Sequence, residues 1–263
     1  MSGTVLDRIV QAHRDMDAAD PRPTAELLAR AEARAATDAA RDFEGALARH
    51  DGLAVIAEIK RRSPSKGDLA PDLVPGVIAK AYAGGGAAAL SVLTDVDAFG
   101  GSVADLVEAR AAVDIPVLRK DFTVSDRDVA DARLMGADAI LLIVAALDDD
   151  ELVRLHALAR RLGLAALVEV HDATELARAM AVGATLVGVN QRDLRTFEVD
   201  HELAARLSAR MPDGVVRVAE SGIRDRQDCR RLAGAGYHGV LVGETLVTAP
   251  DPAAALRALR GDE

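Results

Sequence analysis

Residues 139–170 read AILLIVAALDDDELVRLHALARRLGLAALVEV. Two short apolar runs, Ala139–Val144 and Ala165–Val170, flank an amphipathic stretch, Asp149–Leu162, that ends at Gly163. The order predicted is strand, helix, strand, with glycine where a helix needs a left-handed residue after its last turn. Asp148, Asp149 and Asp150 open the helix, where its dipole favours negative charge. Strands that alternate with helices predict a parallel sheet.

The same unit repeats outward in both directions. Upstream lie the strand-like runs Ala54–Lys60, Ala87–Leu93 and Pro116–Arg119; downstream lie Leu186–Val189, Val215–Ala219 and Gly239–Val242. With the first two, that makes eight. Helical stretches separate them, including Asp128–Met135, Ala173–Ala181, His201–Arg210 and Arg226–Ala233, and Gly136, Gly183 and Gly236 follow three of them. A doubly wound open sheet is the alternative, but eight short, evenly spaced units fit closure into a (β/α)8 barrel better. The 263 residues match the ~250 typical of one such barrel. Residues 1–50 hold no strand-like run and read as an N-terminal helical extension packed on the barrel, which occupies residues 51–263. A second helix is expected to start near Pro23–Thr24.

Composition narrows the function. At 50% hydrophobic and 28% charged, the chain can bury a large core. A net charge of −10 argues against nucleic-acid or membrane-surface partners, which need a basic face. No apolar run approaches the ~18 residues that span a bilayer. Met1 to Met16 does not read as a signal peptide, and the lone Cys229 leaves no internal disulfide or cysteine metal site. The expectation is a cytoplasmic protein that needs no metal and no organic cofactor. Nothing marks an oligomer interface, so a monomer is the default.

The chemically capable residues sit at strand ends. Glu58 and Lys60 end the first run, Lys120 the third and Glu169 the fifth. Asn190 and Arg192 follow the sixth, and Glu220 and Ser221 the seventh. In a (β/α)8 barrel these ends open on one face, so groups scattered along the chain converge on one site. Glu58 and Lys60, two apart on a strand, point to the same side. Buried charges are costly unless paired, and clusters of carboxylates and lysines supply general acids and bases. Asn190 and Arg192 offer amide and guanidinium donors. The chain has only four lysines, Lys60, Lys66, Lys80 and Lys120; lysine, unlike arginine, can exchange a proton. Gly222 and Gly243, in the loops after strands seven and eight, mark an expected phosphate site. Residues 63–76, rich in proline, form a long irregular segment that could cover the site. His171 reads as a loop residue, and Asp121 as structural. His13, His50, His156, His201 and His238 show no metal-ligand spacing.

At these residues the sequence resembles the indole-3-glycerol-phosphate synthases. The matching segments are residues 57–67 (AEIKRRSPSKG), 90–95 (LSVLTD), 116–122 (PVLRKDF), 167–171 (LVEVH), 189–194 (VNQRDL) and 220–223 (ESGI). The resemblance implies an enzyme of tryptophan biosynthesis that converts 1-(2-carboxyphenylamino)-1-deoxyribulose 5-phosphate to indole-3-glycerol phosphate, releasing carbon dioxide and water. It implies Lys120 as the general acid at ring closure and Glu169 as the acid–base group of dehydration. Lys60 would bind the substrate's anionic groups, and Glu58 would orient the lysines. Glu220 joins this catalytic set. Asn190 and Arg192 would hold hydroxyls and the carboxylate, and Ser63, Ser221, Gly222, Gly243 and the backbone at Glu244 the phosphate. Phe99, Phe122, Leu141 and Leu194 would line the aryl pocket.

Four positions depart from that family's pattern. Glu244 stands where many members carry serine, so a phosphate contact there is expected to be backbone only. Ala219 replaces a common serine, Arg62 a frequent alanine and Ala98 a common aromatic. Rival readings are phosphoribosylanthranilate isomerase, a Schiff-base aldolase using Lys120, and a barrel that binds ligand without turnover.

Overall fold

A computed structural model describes residues 4–193 and 196–262. Eight parallel strands close into a barrel in chain order: β1 (Ala54–Ile59), β2 (Ala89–Leu93), β3 (Val117–Lys120), β4 (Ala139–Ile143), β5 (Ala165–Val170), β6 (Leu186–Asn190), β7 (Val216–Glu220) and β8 (Gly239–Val242). β8 pairs with β1 through Ala54–Gly239 to Ala57–Val242, which removes every sheet edge. Nearly all strand residues are buried, because helices cover the outside and side chains fill the inside. The left-handed residues fall where expected: Gly136, Gly163, Gly183 and Gly236 have φ of 95°, 74°, 76° and 83°.

The strand period of two places the chemistry. Ile56, Leu118, Leu167, Leu186, Val218 and Leu241 belong to the inner core, whereas Val55, Val117, Val168, Val187, Ala219 and Val240 pack outward against the helices. Counting in twos from the inner set toward the carboxyl ends reaches Glu58, Lys120, Glu169, Asn190 and Glu220. The lower barrel is thus apolar and the upper layer charged. Phe43 and Leu47, on a helix at Phe43–Ala48, join the inner core from the amino-terminal end at 1% exposure each. Burying each contributes about 1.5–3 kcal/mol.

Two further helices precede this one. Helix α1 (Val5–Ala19) opens with a capping box in which Thr4 and Asp7 satisfy each other's backbone N–H groups. It lies over the carboxyl face: Val5, Leu6 and Ile9 line the cavity there, and Arg14 donates to Glu151 at 2.6 and 2.9 Å. Helix α2 (Thr24–Thr37) flanks the barrel, with Arg34 donating to the Leu134 carbonyl at 2.6 Å. Segment 63–76 is more regular than expected. Arg62–Ser63 pairs antiparallel with Gly67–Asp68, and Pro75 starts a helix.

Candidate active site

At the carboxyl face the strand ends enclose a cavity of about 560 Å³, within the usual size of a small-molecule site. Lys60 donates to Glu58 Oε1 at 2.5 Å. Lys120 Nζ lies 3.8 Å from both Glu169 Oε2 and Glu220 Oε2. Asn190 Nδ2 donates to Glu169 Oε1 at 3.2 Å, and Ser221 Oγ donates to Asn190 Oδ1 at 2.8 Å. Residues from five strands therefore share one polar layer, with the Glu58–Lys60 pair beside the linked Lys120, Glu169, Glu220, Asn190 and Ser221.

These groups set one another's protonation. Burial alone would raise Glu58, but the Lys60 and Lys120 charges hold it below its ordinary value. Burial also disfavours the charge on Lys120, yet Glu169, Glu220 and Glu58 together keep its ammonium protonated well above the usual lysine range. Glu169 and Glu220 diverge. Both are buried, but Lys120, His171 and Asn190 pull Glu169 down to about 2. Burial and the neighbouring charge of Glu169 push Glu220 well above the carboxylate range. The two carboxyls are thus driven in opposite directions around a single cation, the pattern that separates acid and base roles.

Two glycines are required by space. At Gly188, which pairs with Glu169, an added Cβ would meet Glu220 Oε1 at 2.2 Å. At Gly243 it would meet Glu58 Oε1 at 2.4 Å. In the loop after β7, Ser221 holds φ of 66° and Gly222 φ of 73°. A serine there is strained, at a cost of roughly 1–3 kcal/mol that such sites commonly carry. Glu244 faces Lys66 Nζ at 3.6 Å, so the loop after β1 supplies a counter-charge.

An apolar wall completes the cavity. Phe99 and Phe122 pack with ring centroids 6.3 Å apart, alongside Leu93, Leu141 and Ile143. Ser63 and Arg192 also line the cavity, and Arg192 donates to the Phe197 carbonyl at 2.9 Å. Leu194 lies outside the described residues.

Some placements differ from expectation. His171 is a loop residue, as expected, but its partners were not foreseen: it sits between Glu169 and Glu175, because two residues of extended chain bring it back to the side of Glu169. The wall from α1 also went unread, since nothing local in Val5, Leu6 and Ile9 says where the helix docks. Gly188 was missed because a strand glycine carries no pattern. Asp121 is structural, as expected. It takes hydrogen bonds from Thr94 and from Arg119 and lies 3.7 Å from His13.

The fold thus gathers His13, Asp95 and Asp121 into a group with metal-ligand spacing that the sequence did not show. His13 and Asp95 are 2.9 Å apart, and the Arg119 guanidinium already supplies Asp121 with a cation. A metal ion would have to displace these bonds, so the cluster is better suited to anchoring α1.

A closed barrel with paired lysines and carboxylates, an apolar wall and glycine loops after β7 and β8 defines a (β/α)8 enzyme for a small ligand with an apolar part and anionic groups. The chain belongs to the indole-3-glycerol phosphate synthase family, whose model matches residues 6–259. An indole-3-glycerol phosphate synthase of Nocardioides sp. is 52% identical over 264 residues, covering 99% of each chain. The protein named indole-3-glycerol phosphate synthase 2 in Streptomyces coelicolor is 53% identical, covering 86% of this chain and 88% of its own. Among solved structures, a thiamine phosphate pyrophosphorylase from Pyrococcus furiosus superposes with a TM-score of 0.62 at 18% identity, covering 84% of this chain and 96% of its own. That likeness concerns the fold alone.

Proposed function

We propose that the chain closes the indole ring: it converts 1-(2-carboxyphenylamino)-1-deoxyribulose 5-phosphate to indole-3-glycerol phosphate with loss of carbon dioxide and water. Family membership supports the activity. The observation that carries the residue roles is Lys120 Nζ placed 3.8 Å from both Glu169 Oε2 and Glu220 Oε2 in one buried layer with Asn190.

The aryl ring lies against Phe99, Phe122 and Leu141, and the phosphate end at Ser63, Ser221, Gly222, Gly243 and the Glu244 backbone, with Lys66 neutralising the Glu244 side chain. The ring carbon that bears the carboxylate attacks the ketone carbon. Negative charge grows on the ketone oxygen, and Lys120 gives it a proton. A lysine held so firmly protonated yields its proton only to a strong base such as this forming alkoxide. The ring is left cationic, with Glu58 as counter-charge. Loss of carbon dioxide returns the bond's electron pair to the ring. In dehydration, the hydroxyl leaves as water on receiving a proton, and Glu169 takes a proton from the carbon next to nitrogen. Lys60 or a neutral Glu220 can supply the proton for the leaving water. Asn190 and Arg192 hold hydroxyls and the carboxylate. All these groups come from one chain, which supports a monomer as the working unit. No helix among the described residues is long and apolar enough to cross a membrane, which fits the cytoplasm.

The rival enzymes fit less well. A Schiff-base lysine must lose its proton to attack, whereas Lys120 is held protonated. Cys229 is buried on the helix Arg226–Gly234, and burial pushes its thiol up to about 11.

The chain has no Trp and two Tyr, so indole fluorescence reports turnover directly. Wild type should brighten with the substrate, and Lys120→Ala and Glu169→Gln should fall by about 10²–10⁴-fold, the usual worth of one proton-transfer group. A folded wild type that stays dark refutes the function.

A further inference from the structure

Glu169 has a second basic group beside it that the reaction does not use. His171 lies just past β5. Its Nε2 is 3.3 Å from Glu169 Oε1, an ion-pair contact, and its Nδ1 is 3.0 Å from Glu175 Oε2. The same Glu175 oxygen accepts the His171 backbone N–H at 2.7 Å, so one carboxylate grips both ring and backbone. Glu175 is itself fixed. It sits in the first turn of the helix Ala173–Ala181, and its N–H donates at 2.8 Å to Asp172, the residue capping that helix.

The contacts on Glu169 are one-sided. Asn190 and His171 both approach Oε1. Oε2 is buried with no hydrogen-bond partner and faces Lys120. Oε1 is thus anchored by the Asn190 hydrogen bond, with the His171 Nε2, itself without a hydrogen bond, beside it, while Oε2 faces Lys120.

We propose that His171, clamped by Glu175 as an imidazolium, is a positioning residue that orients Glu169 and supplies it with a counter-charge lasting through the catalytic cycle. The inference rests on Glu169 being the acid–base group. Lys120 cannot fill this role alone: once it protonates the ketone oxygen, its own charge is gone. Glu169, 2% exposed, would then be a buried anion with only the Asn190 amide for a partner and no cation, and would take up a proton too early. His171 takes no part in that transfer, so its charge stays. The ring is favoured as a cation because Glu169 and Glu175 outweigh its burial and raise it to about 10. The other charged groups around the pair are Lys120, Glu220 and Glu58 from the strand ends, and Asp172, whose side chain is turned to the N–H groups of Thr174 and Glu175.

Two measurements test this on the whole chain. The first is an NMR titration of the histidine rings, with His171→Gln used to assign the signal. The His171 ring should remain protonated through pH 8. A midpoint near the ordinary 6.5 overturns the proposal, whatever the enzyme's activity. The second compares pH–rate profiles of wild type, His171→Gln and Glu175→Gln. For His171→Gln, kcat should fall about 10–100-fold with KM within about twofold, the scale seen when an orienting partner is lost. The acidic limb of its profile should move up by about 1–2 pH units as Glu169 loses one cation. Glu175→Gln should shift both in the same direction by less, which keeps the test open if His171→Gln does not fold. Unchanged kcat and an unchanged acidic limb in folded variants refute the positioning role. A dark wild type refutes the assigned reaction instead, while the ring titration still reports on the clamp.

Discussion

One methyl group at position 243 should disable the site. Gly243 has φ of −114°, which any residue adopts, so the need for glycine is spatial. An alanine Cβ would lie 2.4 Å from Glu58 Oε1 and 3.1 Å from Lys60 Nζ, where ordinary contact begins near 3.4 Å. The Glu58 carboxylate must therefore retreat by roughly 1 Å. Stretching its 2.5 Å bond with Lys60 to about 3.5 Å costs about 2 kcal/mol at an effective dielectric near 20. An off-rotamer side chain adds about 0.5–1.5 kcal/mol. A loss of about 2.5–3.5 kcal/mol lowers Tm by roughly 5–14 °C in a chain of this size. A misplacement of about 1 Å in a catalytic layer costs on the order of 10²-fold in rate. The assay is indole fluorescence under steady-state conditions beside thermal unfolding by circular dichroism. Gly243→Ala should lower kcat with little change in KM, and in a Glu58→Asp background the added methyl should cost less than about 1 kcal/mol, because the shorter chain makes room. An unchanged Tm and kcat would refute the steric reasoning. A raised KM at constant kcat would instead mean that the methyl acts on the phosphate.

Further outcomes follow from the site's edges. His13→Asn should loosen α1, with a pH dependence of definite sign. Asp95 and Asp121 outweigh burial and raise His13 above its ordinary value, so its contribution is full below about pH 6.5 and fades as pH rises through the folded value. Asp95 is lowered despite burial, so its share is lost only as pH falls through its own folded value, below about pH 4. The Tm gap from wild type should be a few degrees near pH 6 and shrink by pH 9; a gap that grows would contradict the assignment. Lys66→Ala should expose the Glu244 carboxylate to the phosphate and raise KM about 3–10-fold at constant kcat, less so in high salt. Adding Glu244→Ser should reverse the effect, and an unaltered KM in the single variant would place the phosphate elsewhere.

The sequence determined the barrel and most of its upper layer. Apolar runs of strand length, alternating with helical stretches and closing glycines, leave few folds open. In such a barrel all the strand ends open on one face, so Glu58, Lys120, Glu169, Asn190 and Glu220 were legible as one site from the sequence. Residue identity made Glu58, Lys60, Lys120 and Glu169 alike candidates for proton transfer, and the family resemblance singled out Lys120 and Glu169.

What the sequence did not carry are relations between distant segments. Nothing local in Val5, Leu6 and Ile9 tells a helix which face of the barrel it covers. His13, Asp95 and Asp121 come from three separate elements, so their spacing along the chain says nothing about their contact. His171 looked like a loop residue because a histidine after a strand has no partner in the sequence; the turn into the next helix brings Glu175 back onto it. Gly188 and Gly243 matter only through what fills the space beside them. The opposite shifts of Glu169 and Glu220, both glutamates at strand ends, were equally hidden. They depend on which glutamate receives His171 and Asn190 as well as Lys120, and only closure of the barrel decides that. Local periodicity fixes direction along and across a strand, whereas electrostatics and close packing depend on distances of a few ångströms between segments that the chain alone does not relate.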